Sequence, residues 1–166
     1  MTATFQLSES NGASETVTDG ISNINFGSVD SPNINPADHP IRAGENSYEK
    51  WIRCKFTGTF NKIENIKIWM SSGTYVTGEV IKTNLTTSGY SDASYSTPTD
   101  STSTVAVNDM PTSEPSGPNL GIGGSLSGSL TSEGYSDYWV LQLQTSASTP
   151  PGDVNTKTFT MQYDES

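Results

Sequence analysis

The residues able to do chemistry are few and badly spaced for it. The 166-residue chain holds one histidine, His39, and one cysteine, Cys54. A Ser-His-Asp triad needs an imidazole beside a positioned nucleophile, but His39 stands between Asp38 and Pro40 in an irregular, proline-punctuated stretch. No Gly-x-Ser-x-Gly elbow is present. One His and one Cys do not make a four-ligand zinc site. Gly121-Ile122-Gly123-Gly124 is followed by no Lys and no helical pattern, so it is not a phosphate loop. The 18 acidic residues offer many carboxylate pairs for glycoside chemistry, yet none sits in an aromatic setting that marks it out. Acidic, Asn-rich loops suit calcium better than zinc, but no Asp-x-Asp-x-Asp loop occurs. We therefore expect no catalytic residue, no metal ligand and no cofactor, and read the chain as a module that binds or builds.

What remains is a set of aromatic and cationic side chains suited to a protein interface. Trp51, Arg53 and Lys55 alternate along one strand, and Trp69 falls on the polar face of the next. Two tryptophans on neighbouring strands could stack on a sugar or anchor a protein partner, or lie in a satellite core under a second layer. Gly89-Tyr90-Ser91-Asp92 recurs as Gly134-Tyr135-Ser136-Asp137. It reads either as a recurring turn with an aromatic plug or as two exposed tyrosines, Tyr90 and Tyr135, at equivalent loop tips.

Charge narrows the partners. The net charge of −10 argues against nucleic acid and anionic membrane, both of which need clustered bases. Six of the eight bases, Arg42, Lys50, Arg53, Lys55, Lys62 and Lys67, fall in residues 42 to 67 with only Glu45, Glu49 and Glu64. This stretch is either a basic face for an acidic partner or a set of cross-strand charge pairs. Cys54 lies mid-strand and reads as buried and inert. The opening MTATFQLSES has no basic n-region or apolar h-region, so no secretory signal is expected, and no apolar run has the length of a membrane span.

The elements that must position these residues are strands. The apolar fraction of 31% is low, but a half-buried antiparallel strand needs apolar residues only at alternate positions. Strand patterns cover residues 3 to 8, 47 to 57, 60 to 70, 74 to 83, 138 to 145 and 157 to 163. Val105-Ala106-Val107 is a short further strand, and residues 15 to 27 could hold two short ones around Asp19-Gly20. In 47 to 57, Tyr48, Ile52, Cys54 and Phe56 share an inward face, opposite Glu49, Trp51, Arg53 and Lys55. Lys50 breaks that pattern near the strand start, where its amine is expected to snorkel to water. Ser72-Gly73 predicts a hairpin turn, and Pro150-Pro151-Gly152-Asp153 a turn before the last strand. Residues 84 to 134 are strand-poor, and the Ser/Gly/Pro-rich 112 to 134 reads as a projecting arm or surface loop whose removal should spare the fold. The sum is a single all-β domain over 1–166: a β-sandwich, immunoglobulin-like or jelly-roll, of about eight antiparallel strands.

Three groups of residues carry a family resemblance. They are Leu7-Ser8-Glu9-Ser10-Asn11-Gly12 with Val17-Thr18-Asp19-Gly20 and Asn25-Phe26-Gly27; Ala43 through Trp51 with Phe56-Thr57-Gly58; and Leu141 through Gln144 with Thr149-Pro150-Pro151-Gly152 and Thr158 through Tyr163. Together they resemble small virion structural proteins of tailed bacteriophages. The resemblance implies a non-enzymatic capsid decoration (cement) protein, made in the host cytoplasm and carried on the virion. It would bind the major capsid protein or other virion proteins and form homo-oligomers, trimers among them. A neck, tail or baseplate accessory, or a carbohydrate-binding module aiding host adsorption, are the alternative roles.

Overall fold

The computed structural model describes residues 2–103, 107–152 and 156–166. Val105-Ala106 and Asp153, parts of two expected elements, lie outside the described residues. Among the described residues ten strands form: β1 (Ala3–Asn11), β2 (Thr16–Asp19), β3 (Lys50–Gly58), β4 (Ile63–Ser72), β5 (Glu79–Thr83), β6 (Asn108–Asp109), β7 (Ser129–Leu130), β8 (Gly134–Tyr135), β9 (Trp139–Thr145) and β10 (Thr158–Glu165). Among the described residues the only helical element is a single 3-10 turn, Ala93–Tyr95.

All pairings are antiparallel and make two sheets. The larger runs β2-β1-β3-β9-β5-β6, with β8 also on β3; the smaller runs β10-β4-β7. They pack face to face as a β-sandwich. Period-two alternation explains the core. From the large sheet come Ile52, Cys54 and Phe56 of β3, Ile81 of β5, and Trp139, Leu141 and Leu143 of β9, and β4 supplies Ile63, Ile66, Ile68 and Met70. The sheets meet at named contacts: Trp139 edge-on to Phe159 at 5.4 Å, Phe56 edge-on to Tyr163 at 4.9 Å, and Cys54 Sγ 3.3 Å from Met161 Sδ. Burial pushes the Cys54 thiol up to about 12, so it is inert as a nucleophile.

Ile63 and Ile66 both face inward although their spacing is odd. The pairing of β10 with β4 shifts between Gln162 and Asp164, where β4 carries one extra residue, and Asn65 there adopts φ 57°. The bulge resets the alternation, and Asn is among the few non-glycine residues that accept the left-handed conformation.

Four expectations are corrected. Ser72-Gly73 does not close a hairpin, because β4 and β5 belong to different sheets. Residues 21 to 27 form no strand; instead Ile24 and Phe26 pack on the core from an irregular connection. Lys50 does not snorkel: its side chain is fully buried, with Nζ 2.8 Å from Glu9 Oε1 and 2.6 Å from the Ser31 carbonyl.

The fourth correction concerns the Ser/Gly/Pro-rich 112–134 segment, which does not project. Leu120 and Ile122 are buried in the core. Asn119 behaves as a surrogate strand beside β4: its side-chain amide accepts from Ile68 N and donates to Ile68 O, each at 2.8 Å, while its own N–H reaches Ile66 O at 3.0 Å. Together with Pro111 O on Met70 N and the β7 pairing, these contacts seal that edge of the small sheet.

Candidate protein-interaction face

Four of the six sequence-predicted interface residues, Trp51, Arg53, Lys55 and Tyr135, meet on the outer face of the large sheet. β3 presents Trp51, Arg53 and Lys55 outward by alternation, β8 pairs Tyr135 opposite Lys55, and Tyr138 immediately precedes β9. The Arg53 guanidinium lies between two rings, 4.4 Å from the Tyr135 centroid and 4.5 Å from that of Tyr138. Lys55 Nζ is 5.4 Å from the Tyr135 ring. These are cation–π distances, and they hold two long flexible side chains flat against the sheet.

Acids from the β1–β2 hairpin complete the arrangement. Glu15, in the turn between those strands, adopts φ 51°. Its carboxylate meets Arg53 at 3.1 Å and accepts the Tyr138 hydroxyl. Asp19 pairs with Lys55 and accepts from Ser8. The Lys55 bond, then the Ser8 bond, hold the Asp19 carboxyl below its usual range; Asp19 and then Tyr135 push Lys55 up. Burial, with the Glu15 bond, lifts the Tyr138 hydroxyl to about 12. Five of the six bases of this stretch are paired within the chain, for Lys50, Arg53, Lys55, Lys62 and Lys67 each have an acidic partner. Ion pairing within the chain, only one pair of it between neighbouring strands, is what most of these bases serve.

The tryptophans do not form a platform. Trp51 is 1% exposed and packs edge-on against Tyr138 at 5.4 Å, with Val140 and Tyr95, as a satellite core. Trp69 is half-buried on the outer face of the small sheet, on the opposite side of the sandwich. Sequence alternation placed both on polar faces correctly but took β3 and β4 for neighbours.

Tyr90 and Tyr135 are not equivalent tips either. The two four-residue repeats instead close on each other, for Tyr90 Oη donates to Asp137 Oδ2 at 2.9 Å. Burial first, then the Asp137 charge, push the Tyr90 hydroxyl above its ordinary value. Asp137 also accepts from Gly124 N at 3.0 Å, and its own N–H reaches Gly121 O at 3.0 Å. A Cβ on Gly121 would stand 2.5 Å from the Tyr90 ring, so only glycine fits there. Tyr90 is thus a structural plug, and Tyr135 is the copy left on the outer face.

Two features went unread in the sequence. Glu49 is fully buried; it accepts the Thr99 hydroxyl, and its backbone N–H bonds Ser101 O at 3.1 Å, pinning the 84–103 connection across Trp51. The Trp51 indole N–H is turned toward the same carboxyl without closing a normal hydrogen bond. Near the Glu9–Lys50 pair lies an open cleft of about 540 Å³ lined by Asn11, Asp30, Ser31, Tyr48 and Asp100 among others. Asp30 reaches inward from it, accepting from Asn11 Nδ2 at 2.7 Å and Gly12 N at 2.6 Å. Among the described residues no three His, Cys, Asp or Glu side chains converge as a metal site would require.

No protein-family model, no curated protein and no solved structure matches this chain.

Proposed function

We propose that this chain is a non-enzymatic structural protein of a tailed-bacteriophage virion, a decoration protein seated on the outer surface of the capsid lattice. The proposal rests on the resemblance of its opening, central and closing segments to such proteins. The structural observation that carries it is the Arg53 guanidinium held between Tyr135 and Tyr138 on the outward face of the large sheet. Arg and Tyr are among the residues enriched at protein interfaces. Here their side-chain freedom is already spent within the fold, which lowers the entropic cost of docking. A face of this kind suits many shallow contacts repeated over a lattice, where avidity replaces a deep pocket.

The glycan-binding alternative loses its main support, since Trp51 is buried and Trp69 lies on the far side of the sandwich. Binding of purified protein to particles stripped of it tests the proposal. The double variant Arg53→Ala/Tyr135→Ala should keep the β-sheet circular dichroism and lose at least tenfold in affinity, about 1.4 kcal/mol. Undiminished binding by the folded variant would move the docking surface elsewhere, and no binding by the wild type would remove the capsid reading.

A further inference from the structure

Among the described residues the strand edges of the sandwich are not alike. At the large sheet's edges stand β2, four residues long, and β6 and β8, two residues long each. On one side of the small sheet, β7 is two residues long and the rest of β4's flank is closed by Pro111, Asn119 and Leu120. The other side is β10, eight residues long. Among the described residues no backbone hydrogen bond reaches its outer edge.

β10 also lacks the devices that protect an edge. It contains no Pro and no Gly, and both register irregularities against β4 place the extra residue on β4, leaving β10 itself continuous. Its charges are confined to Asp164 and Glu165 at the end. The core-facing side chains Phe159, Met161 and Tyr163 are only half-buried, and Phe5, stacked on Tyr163 at 6.0 Å, is 37% exposed. An apolar strip therefore runs along an open ladder.

We propose that β10 pairs antiparallel with β10 of a second copy of this chain, forming a two-fold dimer. The strand is self-complementary in that arrangement. A two-fold centred on Met161 sets Phe159 opposite Tyr163, Thr160 opposite Gln162, and the acids Asp164 and Glu165 opposite Thr158 and Lys157 rather than each other. Aromatic pairs and separated like charges both favour such a ladder. The small sheets then join as β7-β4-β10 followed by its symmetry mate, and the half-buried strip gains cover. Among the described residues each copy has only one long open edge, so pairing stops at two.

Analytical ultracentrifugation over a dilution series tests it. Wild type should sediment at twice the 17.7 kDa chain mass and dissociate on dilution. Thr160→Lys/Gln162→Lys sets lysine against lysine at two places and should be monomeric with unchanged circular dichroism. Thr160→Lys/Gln162→Glu sets lysine against glutamate at the same places and should restore the dimer. A wild type that is monomeric or trimeric throughout, or a dimer indifferent to the double lysine, overturns the proposal.

Discussion

Lys50 Nζ lies 2.8 Å from Glu9 Oε1, and both side chains are fully excluded from solvent. The pair sits inside the sandwich where β1 and β3 run side by side, and it is extended by Asn11 and by the Ser31 carbonyl. Removing one member of a buried pair strands the other, at a cost of ~3–5 kcal/mol. Lys50→Met should therefore destabilise by about that amount in urea unfolding at neutral pH. The loss should shrink on acidification, because the stranded Glu9 can then take up a proton.

The wild type should itself show an inverted acid response. Burial, outweighing Lys50, raises the Glu9 carboxyl above its ordinary 4.5, and burial, outweighing the Thr99 bond, does the same for Glu49. The folded state then holds these protons more tightly than the unfolded chain. Their contribution to stability is full below 4.5 and declines as pH rises through the raised folded values. Asp19 acts oppositely, its contribution being lost as pH falls below its ordinary 3.8. Unfolding midpoints should therefore fall as pH rises above 4.5, and Glu49→Gln, which mimics the protonated acid, should flatten that slope. A slope unchanged in Glu49→Gln would contradict the assignment.

Asn119 makes a sharp test of the 112–134 segment. Asn119→Ala would leave Ile68 N and O without partners, at roughly 1–3 kcal/mol for each unsatisfied group. Leu120→Ala would open a core cavity at about 2–5 kcal/mol. Deleting 114–132 removes both and should abolish cooperative thermal unfolding. A deletion variant that still melts cooperatively would restore the view of this segment as a dispensable arm.

The Tyr90–Asp137 bond ties the two copies of the short repeat together. Tyr90→Phe should cost about 1.5–3 kcal/mol, the range for a hydrogen bond to a charged group. Tyr135→Phe, on the outer face, should be nearly neutral to stability. Equal effects in thermal melts would mean that the two tyrosines do not differ in role.

The sandwich was legible because the alternation in β3, β4, β9 and β10 is clean and survives single-residue departures. Its topology was not. Nothing local in Ser72-Gly73 says whether the chain turns back or crosses to the other sheet; distant partners decide it. Lys50 misled because a lone base on an inward face looks misplaced until Glu9, 41 residues away, is seen beside it. The 112–134 segment misled because it seals β4 mainly through the Asn119 side chain and irregular backbone, and neither leaves a period to read. For the interface residues, alternation correctly put Trp51, Arg53 and Lys55 on one face, while the acids that neutralise that face come from a hairpin some 30 to 40 residues earlier.

Cryo-electron microscopy of the purified virion tests the central proposal most directly. We predict density for this sandwich in icosahedral register on the outer capsid surface, with Arg53 and Tyr135 of β3 and β8 facing the shell. Density confined to the neck or tail, or absence of the chain from the particle, would contradict it.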